Sequence, residues 1–500
     1  MKHSKLYALC FAAMLLLCTL AACSDDSGAE DSGTENATPA NSTPETEAID
    51  PLAAADFVPD NISYDGETFT VIHGNGWNLV ASGYTTSSYN EVAPDPETVK
   101  RGDIIDEAVV LRNSMTSEKL DIKIVSIEKG CFEFNRDISI SVMAGDNAYD
   151  AVCGTVRTVF DCAVEGLLTP LTNIETLDLS HEWWDQKVKE QYSYGENNDI
   201  VYFINGDINY LDNYGSMLLL FNKDMLSDYN LESPYDLVRN YTWTFDKMMQ
   251  MSSNIYQDLD NDGVQTIDDQ YGLVANNGVL DRLIPASGLS VIVPKDSDSM
   301  CYTVNQNEVF FNALDKFYDG LINHNSAFYD GGSYPSIFSA GRALFCENLL
   351  SSVPGSRGME DDFGVIPFPL YDEDQKQYYA PISYMYGSAY AVIQTADSDR
   401  AGYVLDVMGA FSADTITEAV IDKTCLVKSV RDEETAEMLY IIFDGAVYGG
   451  NTLEDWGGTY DIMYEMIYYK KNNFASQIAS IKKMVEIVSA RELKQLANPD

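Results

Sequence analysis

Apolar and polar positions along this chain switch repeatedly between a period near two and a period near 3.6, and their order predicts a mostly parallel sheet with helices on its faces. Thr68 to Ile72 reads as a short strand after the turn Tyr64-Asp65-Gly66, and it runs into the loop His73-Gly74-Asn75-Gly76-Trp77. Ile104 to Ser117 has helical spacing through Ile105, Ala108, Val109 and Arg112, and Leu120-Asp121-Ile122-Lys123-Ile124-Val125 alternates as a strand. The pair then repeats, with a helix over Arg136 to Ala144, a buried strand over Tyr149 to Cys153 and a third helix over Phe160 to Leu168. Further strands are predicted at Ile200 to Ile204, Met217 to Phe221 and Tyr271 to Val274. Short helices start at Ser233-Pro234 and behind the cap Thr242-Trp243-Thr244-Phe245-Asp246. A strand that feeds a Gly-rich loop is where α/β proteins place ligands. No G-x-G-x-x-G completes the loop at Gly74, so a dinucleotide site is not supported.

The N-terminus follows a different pattern. Lys2 and Lys5 open it, Leu6 to Leu20 is almost continuously apolar, and Leu20-Ala21-Ala22-Cys23 closes the run with small residues before a cysteine. This resembles a bacterial lipoprotein signal, residues 1–22, after which Cys23 would carry a lipid. The run is about 15 residues, short of the roughly 20 that span a bilayer. From Ser24 to Asp56 the chain is rich in Ser, Asp, Glu, Thr and Pro and cannot bury enough to fold, so residues 23–56 read as a lipidated cysteine and an acidic tether. Such a tether has an r.m.s. reach of roughly 30 Å.

Length and charge narrow the function. Five hundred residues with 45% hydrophobic content can bury a large core in two lobes. A formal net charge of −47 repels phosphate backbones and anionic headgroups, which argues against nucleic acid and leaves membrane attachment to the lipid. The four histidines leave little for histidine catalysis or a multi-histidine zinc site. Beyond Cys23 and the leader, the six cysteines Cys131, Cys153, Cys162, Cys301, Cys346 and Cys425 are too scattered for a disulfide framework and include no C-x-x-C.

Residues 258–269, Asp-Leu-Asp-Asn-Asp-Gly-Val-Gln-Thr-Ile-Asp-Asp, have the spacing of a calcium loop. Asp258, Asp260 and Asp262 offer oxygens at alternate positions, Gly263 allows the turn, Val264 can offer a carbonyl, and Asp269 falls at the twelfth position. Asp269 is one methylene shorter than the usual Glu, and Tyr271-Gly272-Leu273-Val274 continues as strand rather than helix. A structural clip is therefore expected rather than a calcium sensor; the alternative is a solvated acidic turn.

The flanks of this loop carry a family resemblance. Phe221-Asn222-Lys223-Asp224, Pro234-Tyr235-Asp236-Leu237, Trp243-Thr244-Phe245-Asp246-Lys247-Met248 and Asp269-Gln270-Tyr271-Gly272-Leu273 resemble, in this order, family 1 of the extracellular solute-binding proteins, the carbohydrate-type lipoproteins of ABC importers. Phe338 to Phe345, Asp362 to Pro369 and Arg431 to Leu439 agree, the last being similar to a late helix of gut-bacterial members. The resemblance implies an α/β fold of two lobes, periplasmic-binding-protein-like, type II and maltose-binding-protein-like, with a ligand cleft between them. It places residues 57–172 and about 363–413 in an N-terminal lobe and 173–362 and about 414–500 in a C-terminal lobe. The first crossing would lie near Asn173 to Tyr202 and the return near Val353 to Pro367. The partners implied are ABC permease subunits and a small-molecule solute, a sugar or other small polar molecule, held by a monomer on the extracellular face of the cytoplasmic membrane.

By position, the resemblance nominates Asn75, Trp77, Thr155 and Arg157 in the first lobe and Asn213, Tyr214, Glu347 and Asn348 in the second as ligand contacts, with Tyr384, Tyr386 and Trp456 on later loops. Aromatic faces suit pyranose rings, and the chain has 32 Tyr and five Trp, though a packed core uses the same residues. Trp183 and Trp184 are expected to pack at the crossing and Trp243 to anchor its helix. Two alternatives stand beside this reading: a polysaccharide-binding lipoprotein without a transporter, and a glycoside hydrolase using two carboxylates. Among 78 acidic residues some close pair is inevitable, and G-x-S-x-G, H-E-x-x-H and Walker motifs do not occur. A catalytic residue is therefore not expected.

Overall fold

The computed structural model describes residues 52–75, 90–94, 104–130, 133–195, 197, 199–295, 300–383, 387–425, 433–448 and 456–497. Cys23, Trp77, Cys131, Tyr384 and Tyr386 lie outside the described residues, as does the Asn75 side chain.

The chain begins with β1 (Glu67–Asn75), α1 (Ile104–Leu120), β2 (Ile122–Gly130), α2 (Phe134–Ala144), β3 (Ala151–Thr155), α3 (Val156–Val164) and β4 (Leu168–Thr169). After α4 (Gln186–Gln191) and the single turn α5 (Leu211–Tyr214) come β5 (Met217–Asn222), α6 (Lys223–Asp228), α7 (Pro234–Arg239) and α8 (Phe245–Ser252). Next are β6 (Tyr271–Asn276), α9 (Leu280–Ala286), β7 (Ile292–Pro294), β8 (Tyr302–Val304), α10 (Glu308–Ile322), β9 (Ala327–Asp330), α11 (Tyr334–Ser339), β10 (Ala343–Leu349) and β11 (Phe363–Ile366). The chain ends with β12 (Ala380–Ile382), β13 (Ser388–Ile393), α12 (Ser398–Ala413), α13 (Ile416–Cys425), α14 (Glu433–Asp444), β14 (Ala446–Tyr448), α15 (Thr459–Tyr468) and α16 (Phe474–Leu496).

Two five-stranded sheets result, ordered β2-β1-β3-β13-β4 and β11-β5-β10-β6-β9. In the first, β1 runs parallel to β2 and β3, and β13 returns antiparallel between β3 and β4. In the second, β10, β6 and β9 run parallel while β5 opposes β10 and β11. This is the two-lobed α/β architecture that the resemblance implies. No helix among the described residues is long and apolar enough to cross a membrane.

Burial on both faces explains the continuous apolar runs. Every residue of β5 is buried; Leu218 and Leu220 enter one core cluster, and Met217, Leu219 and Phe221 enter another on the opposite face. Local chemistry starts the helices where the sequence suggests. Thr244 Oγ1 accepts the Lys247 N–H at 3.2 Å at the start of α8, and Asn222 Oδ1 accepts the Met225 N–H at 2.9 Å at the start of α6. Trp243 is fully buried and its indole N–H donates to the Pro367 carbonyl at 3.0 Å.

Several expected elements shift. The third helix starts at Val156, and Leu168 is already strand. Ile200 and Ile204 form isolated bridges, to Tyr194 and Tyr390, rather than a strand. The first crossing lies later than expected, because Ile174, Leu177, Leu179, Trp184 and Val201 all pack into the first lobe's core with Phe69, Val71 and Val392. β11 belongs to the second sheet rather than starting the return, since Phe363 and Val365 pack with Leu218 and Leu220. The return is completed only at β13. Among the late helices, α14 packs on β11, α15 on α9 and α16 on β8, whereas α13 packs on α1.

Candidate functional site

The ends of the strands locate the cleft. Leu350 N–H donates to the Ser216 carbonyl at 3.0 Å, so the carboxyl end of β10 meets the start of β5. There the two crossing segments lie side by side: Ser216 bridges Ile382, and Ser383 N–H donates to the Gly215 carbonyl at 2.9 Å. Because β6 and β9 run parallel to β10, Asn276 and Asp330 end on this same side. In the first sheet Thr155 pairs with Ser388 at the end of the return, and β1 runs parallel to β3. The carboxyl ends of β1 and β3 thus reach the hinge side of their sheet, the usual ligand position in α/β folds.

A buried polar network forms the hinge floor. Glu91 accepts the backbone N–H groups of Tyr210 and Leu211 at 3.1 and 3.3 Å. The fully buried Arg112 donates to the carbonyls of Glu91, Val92 and Ile208 at 2.9, 2.8 and 3.2 Å. Asn205 Nδ2 reaches Tyr448 Oη at 3.1 Å and Asp212 Oδ2 at 3.4 Å, and Asn209 Nδ2 donates to Ser388 Oγ at 2.9 Å. Burial pushes the Asp212 carboxyl well above the usual carboxylate range; the Asn213 N–H opposes that shift, and the nearby acids Glu91, Asp185 and Asp207 add to it. The side-chain oxygens of Asn205 and Asn209 are buried and accept no hydrogen bond among the described residues.

The wall contributed by the second lobe centres on Glu347. Its carboxylate is fully buried, accepts Asn276 N–H at 2.9 Å and faces Arg282 Nε at 3.4 Å. Burial raises the Glu347 carboxyl, and Arg282 and the Asn276 N–H pull it back. Burial lowers the Arg282 guanidinium, but Glu347 and Asp281 more than offset this and hold it above its ordinary value. Arg282 also lies over the Tyr460 ring, 5.4 Å from its centroid, and Asn277 Nδ2 donates to Tyr464 Oη at 3.2 Å. A fixed charge pair, amides and aromatic rings can orient a polar solute.

No family model matches the sequence, and no curated protein matches it. Solved structures do. The maltose-binding periplasmic protein MalE from Listeria monocytogenes in complex with maltose is similar over 85% of this chain and 98% of its own, with a TM-score of 0.53 at 15% identity. The ABC substrate-binding protein Lmo0181 from Listeria monocytogenes in complex with cycloalternan gives 0.52 at 13% identity over 85% of this chain and 99% of its own. The apo form of RafE from Streptococcus pneumoniae gives 0.53 at 12% identity over 85% and 99%. The fold is maltose-binding-protein-like.

Within this maltose-binding-protein-like fold the nominated residues separate. Thr155 is buried at the end of β3, where its Oγ1 caps α3 and lies 2.8 Å from Thr158 Oγ1. Arg157, half-buried in the first turn of α3, pairs with Asp161 at 3.4 Å. Glu347 and Asn348 lie at the hinge end of β10, with Asn348 Oδ1 accepting the Leu349 N–H at 2.9 Å. Asn213 is half-buried in α5 beside the floor. Tyr214 instead packs in the core, its ring edge-on to Tyr210 at 5.8 Å. Trp456 is likewise buried, its ring tilted at 57° against Tyr302 with centroids 5.1 Å apart, and its indole N–H is donated to Glu492 at 2.6 Å. Trp183 and Trp184 both donate their indole N–H to the buried Asp406, at 2.9 and 3.1 Å, and so pack on α12.

Sequence reasoning missed Arg282, Asn276, Asn277, Asn205, Asn209 and Ser388. The signal was present for two of them, because the turn-forming run Asn276-Asn277-Gly278 begins two residues beyond the end of the predicted strand Tyr271 to Val274. Arg282 gives no such signal, since its role depends on a carboxylate 65 positions away in the chain, at Glu347.

The acidic loop sits at the other end of the same sheet. It precedes the first residue of β6, whereas the cleft lies beyond the last, so a strand length of about 20 Å separates them. Among the described residues, the carboxylates of Asp258, Asp260 and Asp262 lie within 4.8 Å of one another. That donor set fits a hard cation. Asp269 does not join this group. It is buried under the loop, with its carboxylate accepting the N–H groups of Leu259 and Thr266, each at 3.0 Å. Val264 is exposed, and its N–H donates to Asp262 Oδ1 at 2.7 Å.

Proposed function

We propose that this chain is the solute-binding component of an ABC importer, lipid-anchored through Cys23 on the extracellular face of the cytoplasmic membrane, which binds a carbohydrate between its lobes. The observation that carries this reading is the meeting of the two sheets' carboxyl ends at paired crossing segments, with Glu347, Arg282, Asn276 and Asn277 on the second-lobe wall. The similar structures named above include complexes with maltose and with cycloalternan, which supports a sugar as the solute.

Lobe closure would deliver the solute. The open and closed forms exchange, a sugar that touches both lobes favours the closed form, and closure presents a new surface to permease subunits. The binding protein hydrolyses nothing in this scheme. Calcium held by Asp258, Asp260 and Asp262 would brace the far end of the second sheet and take no part in solute recognition. Calorimetry with glucose, maltose, maltotetraose and cellobiose tests the reading: saturable one-to-one binding without turnover supports it, and release of reducing sugar overturns it.

A further inference from the structure

Helix α15 carries a row of tyrosines that the cleft alone does not use. Tyr460, Tyr464 and Tyr468 recur every fourth residue, which puts them on one face of the helix, one per turn. Their ring centroids are 6.0 and 6.1 Å apart, and the outer two rings are within 17° of parallel. Tyr469 extends the row, its ring edge-on to Tyr468 at 4.9 Å. The row changes character along its length. Tyr460 and Tyr464 are half-buried against Arg282 and Asn277, at the second-lobe wall of the cleft. Tyr468 and Tyr469 are 57% and 64% exposed, the highest values for aromatic side chains among the described residues.

From this arrangement we infer that the row is an outer docking strip for an oligosaccharide chain, which would hold sugar units outside the cleft while the end of the chain enters it. The inference rests on the carbohydrate reading of the cleft and narrows the solute to an oligomer. Three observations favour a glycan over other occupants. The strip is continuous with the wall built on Glu347 and Arg282. It presents aromatic surface repeated once per helical turn, which suits a ligand that is itself a row of rings with apolar faces and polar edges. Its outer end is followed by the exposed Lys470 and Lys471, hydrogen-bond donors for hydroxyl groups, and by Asn472, whose amide nitrogen donates to Asp315 at 2.9 Å, rather than by the aliphatic anchors of a protein interface.

The test uses the full chain in native gels containing amylopectin, xyloglucan, laminarin or inulin, with Tyr468→Ala/Tyr469→Ala and Tyr468→Phe/Tyr469→Phe beside the wild type. Both side chains are exposed, so the fold should be retained, and the Phe variant keeps the rings. The expected result is retardation of the wild type by at least one polysaccharide, weakened at least threefold in the Ala variant and kept in the Phe variant. Short-sugar calorimetry on the same proteins should give the same affinity for all three. Absence of retardation across the panel, or equal retardation of the Ala variant, overturns the strip. So does binding to vesicles of phosphatidylcholine and phosphatidylglycerol that the Ala variant loses while no glycan retards the wild type. If retardation depends on the strip but no short sugar binds, the strip stands and the cleft reading falls.

Discussion

Glu347 and Arg282 form a charge pair on the hinge side of the second sheet, 3.4 Å apart, with the carboxylate fully buried. Breaking one half of such a pair leaves an uncompensated charge in low dielectric, which costs about 3–5 kcal/mol. Arg282→Met should therefore lower stability by about that much, and Arg282→Met/Glu347→Leu should recover most of it. Urea unfolding of the two variants checks the stability, and calorimetry should find solute binding lost in both.

Gly206 stands where the chain leaves the first lobe, with φ at +153°, and a Cβ there would lie 2.1 Å from the Trp183 carbonyl oxygen. Gly206→Ala has to move backbone rather than a flexible side chain. A loss of about 2 kcal/mol or more is expected, read as a lower denaturation midpoint with an unchanged slope.

The buried His73 and the half-buried Asp207 give opposite pH dependences. Burial lowers His73 to about 4, so its contribution to stability is complete above its unfolded value near 6.5 and is lost as pH falls toward 4. Burial raises Asp207 to about 6, so its contribution is complete below its unfolded value near 4 and is lost as pH rises through 6. Between pH 4 and 6 the two oppose each other. Melting temperatures of Asp207→Asn should rise more steeply with pH across this window than those of the wild type, and those of His73→Gln less steeply.

The acidic loop and the cleft occupy opposite ends of β6, and this separates their effects. Chelation should lower the melting temperature, and added calcium should raise it with concentration, while the solute affinity stays the same. Loss of solute binding at unchanged stability would place the cation in the cleft instead.

The sequence made the fold legible where burial produces periodicity and where caps have chemical signatures. The apolar run at Met217 to Phe221, the cap at Thr244 and the helix from Ile104 are of this kind. It misled at Ile200 to Ile204, where an apolar stretch touches β13 through a single bridge, and at Phe363 to Ile366, because alternation does not say which of two sheets a strand joins. Of the residues nominated by loop position, Thr155 ends β3, and Glu347 and Asn348 lie at the hinge end of β10. The same positional nomination included Tyr214 and Trp456, yet both rings are packed away from solvent. The hinge floor of Glu91, Arg112, Asn205 and Asp212 is assembled from segments more than 90 residues apart between Arg112 and Asn205, and only the fold brings them together.

Small-angle scattering on the full chain, with a sugar whose one-to-one binding calorimetry has established, tests the central claim most directly. Lobe closure about the paired segments at Gly215 and Ser383 predicts a smaller radius of gyration at saturating sugar than without it. An unchanged radius at full saturation would contradict the account.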